Sequence, residues 1–63
     1  STEIKLECGV SNGKLLAYIY ENSRVLNRTF INTSVHFHIV IEEKNLSKLY
    51  QLGGEDLTVT HIL

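Results

Sequence analysis

The 63-residue chain has no proline, methionine or tryptophan, and it has a single cysteine, Cys8. One cysteine excludes a disulfide within the chain, so the fold has no covalent staple. The absence of proline leaves every strand edge without its usual blocking residue. No apolar run approaches the roughly 20 residues of a membrane span, and no basic, then apolar, leader opens the chain. Neither sign of charge prevails: six Lys and Arg face seven Asp and Glu for a net charge of −1. Such a balance gives no general attraction to nucleic acid or to an acidic membrane. Without methionine, and opening on Ser-Thr-Glu, the sequence matches a product whose initiator was clipped before a small residue. The expectation is a complete cytoplasmic protein.

Catalytic signatures are missing as well. There is no Ser-His-Asp order and no G-x-S-x-G elbow. The four glycines form no phosphate loop, and Glu55-Asp56 after Gly53-Gly54 would repel phosphate. Glu42 and Glu43 are adjacent, so on a strand they diverge. Cys8 falls on the apolar side of its segment, where a lone cysteine acts as a small hydrophobe. The expectation is a protein that is not an enzyme and uses no cofactor. The three Asn-x-Ser/Thr triplets at Asn27, Asn32 and Asn45 read as turns and caps in a chain without a leader.

The strongest pattern is Ser34–Glu43, where Val35, Phe37, Ile39 and Ile41 alternate with His36, His38, Val40 and Glu42. Period-two alternation of mostly β-branched residues predicts a half-buried strand. Glu3–Val10 alternates in the same way, with Ile4, Leu6, Cys8 and Val10 opposite Glu3, Lys5 and Glu7. Ser11-Asn12-Gly13 reads as a hairpin turn leading to a strand over Lys14–Glu21, apolar on both faces. Asn22-Ser23 turns into a weaker strand, Arg24–Ile31, and Asn32-Thr33-Ser34 turns into the long one. Asn45 then reads as an N-cap, with Leu46, Leu49 and Tyr50 as the apolar stripe of a short helix ended by Gly53-Gly54. Leu57–Leu63 is the last strand.

These elements predict one domain over residues 1–63 of the α+β class, mostly β: a four-stranded antiparallel meander, a short helix and a fifth strand, in the order β-β-β-β-α-β. An open or partly rolled antiparallel sheet is favoured over a small SH3-like barrel. A chain of this length buries only about 60% of its unfolded surface. Such chains depend on a staple, a metal or association. With no staple available, the expectation is a homo-oligomer or a protein partner.

Two clusters could carry recognition. His36 and His38 sit on one strand face about 7 Å apart, beside Val40. Zinc sites use such pairs with a third ligand, here His61, Cys8 or Glu42, but no ligand motif supports a metal. A pH-sensitive contact surface suits them better. Tyr18 and Tyr20 share a face of the predicted second strand, near Lys14, Arg24 and Arg28. Tyrosines beside arginines are what sheets that bind single-stranded nucleic acid use, although the sparse basic charge disfavours that alternative. The predicted function is therefore protein–protein interaction through His36, His38, Val40, Tyr18, Tyr20 and Arg28, as a regulator, inhibitor or adaptor. Compact virus- or plasmid-encoded proteins that block host factors share this profile.

Overall fold

The computed structural model describes residues 1–63. The chain runs β1 (Thr2–Gly9), α1 (Gly13–Asn22), β2 (Ser23–Ile31), β3 (Ser34–Ile41), α2 (Leu46–Gly53) and β4 (Thr58–Ile62), with 3-10 turns at Glu43–Asn45 and Gly54–Asp56. The expected class holds. The strands form one open antiparallel sheet in the order β2-β3-β1-β4. Because β2 and β4 are its two unpaired outer strands, no barrel closes.

One element differs from the sequence expectation. Lys14–Glu21 is not a strand but most of α1, so the connectivity is β-α-β-β-α-β and the sheet has four strands. Asn12 and Gly13 start that helix instead of making a hairpin. The Asn12 Oδ1 accepts the Leu15 amide at 3.3 Å, and its carbonyl accepts the Leu16 amide at 3.0 Å. A side chain that satisfies an unpaired amide of the first turn favours the helix over the turn. The run from Leu15 to Tyr20 is apolar at every position, so it meets a 3.6-residue period as well as a two-residue one. Leu15 and Ile19, four residues apart, are both fully buried. The result is a split β-α-β arrangement: β1 and β2 point the same way, and β3 lies antiparallel between them.

The alternation read in β1 and β3 decides where the core sits. Leu6 lies opposite Phe37 and Ile4 opposite Ile39. Ile4, Leu6, Cys8, Val35, Phe37, Ile39 and Ile41 form a single core with Leu15, Ile19 and Leu49 of the helices. All the helical cover therefore lies on one side of the sheet, and the outward residues of β1 and β3 stay accessible. In α2 the stripe is Leu46, Leu49 and Leu52. Tyr50, expected in it, points to solvent. Asn45 does occupy the N-cap position of α2, but its side chain makes no capping bond; its carbonyl instead accepts the Tyr18 hydroxyl at 3.1 Å.

Two glycines end α2 for different reasons. Gly54 adopts φ +54°, a left-handed conformation that L side chains resist. Gly53 is a close approach: a Cβ there would stand 2.4 Å from the Leu57 Cβ. The following turn is tied across the molecule. Asp56 accepts the Gly9 amide with both carboxylate oxygens, at 3.1 and 3.0 Å, and the Asn12 side-chain amide at 3.2 Å. This clasp fixes the β1–α1 loop against the start of β4.

Candidate interaction surface

The predicted contact residues divide between two places. His36, His38 and Val40 project from β3 on the uncovered face of the sheet, half-buried among neighbours. Beside them on β1 are Glu3, Lys5 and Glu7, paired in register with Val40, His38 and His36. On the other flank β2 contributes Arg24, Asn27 and Thr29, opposite Val40, His38 and His36. His61 of β4 joins this face opposite Lys5. Strict alternation through Leu57–Leu63 would put His61 on the same face as Val59. A bulge at Thr60 moves it to the other, since Val59 pairs with Leu6 and His61 with Lys5.

Carboxylates already engage the two β3 histidines. The His38 Nε2 lies 2.6 Å from the Glu3 Oε2, and the His36 Nε2 lies 3.8 Å from the Glu7 Oε2. Each imidazole thus faces its own acid, and neither histidine converges on Cys8, which is buried on the opposite side of β1. No group of three or more His, Cys, Asp or Glu is placed to hold a metal ion. Between β1 and β2, Lys5, Asn27, Thr29, His36, His38 and Thr60 line a shallow depression of about 190 Å³.

Tyr18, Tyr20 and Arg28 lie elsewhere. Because Lys14–Glu21 is helical, the two tyrosines do not share a face. Tyr18 turns toward α2, its hydroxyl bound to the Asn45 carbonyl, and is only partly accessible. Tyr20 turns toward the β2 edge, where its ring meets the buried Phe37 ring edge to face at 5.8 Å. Arg28 donates a hydrogen bond to the Tyr20 hydroxyl. The guanidinium also stands 5.8 Å from the Tyr20 ring centre and 5.2 Å from that of Phe30. Phe30 was not singled out from sequence. Two-residue spacing puts it on the same strand face as Arg28, but the Arg28–Phe30 stack depends on which face the helix covers.

The uncovered face carries no Phe, Tyr or Trp on which a nucleobase could stack, and its charges are mixed, with Glu3 and Glu7 beside Lys5. Nor does the thiol offer nucleophilic chemistry. Burial first, then the Asp56 and Glu7 carboxylates, push the Cys8 thiol up to about 11. Two results follow from this. The native protein should resist iodoacetamide at pH 8 for as long as it stays folded, and denaturant should release rapid alkylation. Because the folded value is raised above the ordinary 9.0, the unfolded chain ionises first as pH rises. This contribution to stability is intact below about pH 9 and is lost on the way to about pH 11. Native alkylation at the unfolded rate would show that Cys8 is accessible.

No helix is long and apolar enough to cross a membrane. Comparison with protein-family models, with curated proteins and with solved structures finds no match.

Proposed function

We propose that this domain acts without catalysis, by binding another protein through the uncovered face of its sheet, as a regulator, inhibitor or adaptor. The carrying observation is the one-sided core: both helices cover one face, while β1 and β3 present Glu3, Lys5, Glu7, His36, His38 and Val40 on the other. A face of mixed charge with an aliphatic residue at its edge suits a protein surface better than a phosphate backbone. Small size without a staple adds to the case for association.

The test compares two baits in the native host, the wild-type chain and His36→Thr/His38→Thr. Threonine keeps the preference for a strand while removing both imidazoles. The reading expects a partner retained by the first and depleted at least about tenfold by the second, at equal melting temperature. Recovery of the same proteins at the same level by both baits would remove the uncovered face as the contact surface. Sedimentation at micromolar concentration separates self-association from a foreign partner.

A further inference from the structure

We infer that the free edge of β2 is a second, separate recognition site, built to accept an acidic extended segment of a partner protein as a fifth strand. Four observations converge on this edge. β2 is nine residues long and hydrogen-bonded only to β3; it contains no proline, and its one bulge, between Val25 and Asn27, leaves the Asn27–Ile31 stretch regular and open. The Arg28 amide donates at 2.9 Å to the side-chain Oδ1 of its neighbour Asn27, a local acceptor whose place the carbonyl of an incoming strand would take. The apolar side chains along the strand are largely uncovered, with Phe30 60% and Ile31 50% exposed. β2 itself carries Arg24 and Arg28 and no acid, and neither arginine has a carboxylate within 4 Å; Glu21 and Glu42 line the cleft beside Arg24, so Arg28 is the cation this edge offers.

The chemistry of the occupant follows from Arg28. Its guanidinium is held by the Tyr20 hydroxyl and by the faces of Tyr20 and Phe30, which fixes a planar donor fork before any anion arrives. A carboxylate is the planar group that such a fork accepts with two hydrogen bonds. A strand laid along β2 in register would place alternate side chains over Arg28 and Phe30 on the helix-covered side. Its backbone would take up the Arg28 amide in place of Asn27. The same charge disfavours a second copy of this chain, because two β2 strands paired edge to edge would bring four arginines together with no acid between them.

The test uses a blocked nine-residue peptide of alternating valine and glutamate, with its valine–lysine counterpart, titrated into the 15N-labelled full chain. Shifts are expected along residues 24–31 for the glutamate peptide alone. Arg28→Ala should weaken it by about tenfold or more. Lys48→Ala, which removes one positive charge from the far side of α2, should not. Asn27→Ala frees the Arg28 amide and should tighten binding several-fold, an effect that diffuse charge attraction would not produce. Equal binding of the lysine peptide, equal losses in the Arg28 and Lys48 variants, or shifts centred on β4 or on the uncovered sheet face would each overturn the assignment. So would a concentration-dependent dimer that Arg28→Glu strengthens, since β2 would then be the interface between copies.

Discussion

Phe37→Ala is expected to leave the protein largely unfolded at room temperature. Phe37 is 2% exposed, at the centre of β3, with Leu6 opposite it on β1 and the Tyr20 ring set edge-on against it. Truncating a buried phenylalanine to alanine costs about 3–5 kcal/mol, because the surrounding groups only partly refill the space. Marginal stability of about 0.05–0.15 kcal/mol per residue gives a chain of this length a total of the same order. The substitution also removes the wall against which Tyr20 orients Arg28, so any residual folded fraction should lose the β2-edge arrangement as well. Urea titration followed by far-ultraviolet circular dichroism measures the effect. A midpoint near that of the wild type would show that the inward face of β3 is not where the core lies.

The second large effect concerns Gly53. Glycine to alanine inside a helix ordinarily stabilises by about 1 kcal/mol, and here the sign should reverse. The added Cβ would meet the Leu57 Cβ at 2.4 Å and its Cδ2 at 2.8 Å. Neither the backbone of the turn nor Leu57 is free to retreat: Leu57 packs on the core, and Asp56 beside it is bound to Gly9 and Asn12. A net loss of about 2–3 kcal/mol is expected from such overpacking, with a lower melting temperature as the readout. A gain on Gly53→Ala would mean that the turn after α2 yields easily and that the clasp does not hold it.

Much of this fold is legible in the residues, and the exception has a specific cause. Strict alternation in Glu3–Val10 and Ser34–Glu43 identifies β1, β3 and their buried faces, since only one phase of a two-residue period buries the hydrocarbon. Gly54 ends α2 for the local reason that the sequence suggests, a positive φ, whereas Gly53 is required by the close approach of Leu57. Leu15–Tyr20 does not discriminate, because an uninterrupted apolar run satisfies both periods. The decision falls to the Asn12 side chain and to the need for a crossover between β1 and β2. Bulges blur the edges. The one between Val25 and Asn27 breaks the alternation of β2, and the one at Thr60 carries His61 to the other side. The candidate contact residues can be named one by one from the sequence, but their groupings cannot. His36 and His38 were placed on one face, whereas their carboxylate partners Glu3 and Glu7 are more than 25 residues away in sequence and depend on strand register. Tyr20 and Arg28 meet only because a helix returns over β2.

The position of β1 bears on how the chain reaches this structure. β2 and β3 join through a two-residue turn in which Asn32 takes φ +55°, so their hairpin closes a short loop at little entropic cost. β1 is made first yet has no sequence neighbour in the sheet. One side waits for β3 and the other for β4, where the Leu63 amide donates to the Glu3 carbonyl at 2.8 Å. During synthesis β1 therefore stays unpaired until β3 has emerged, and only half-paired until β4 has. Ile4, Leu6 and Cys8 stay exposed until then, which makes them residues that a chaperone would shield.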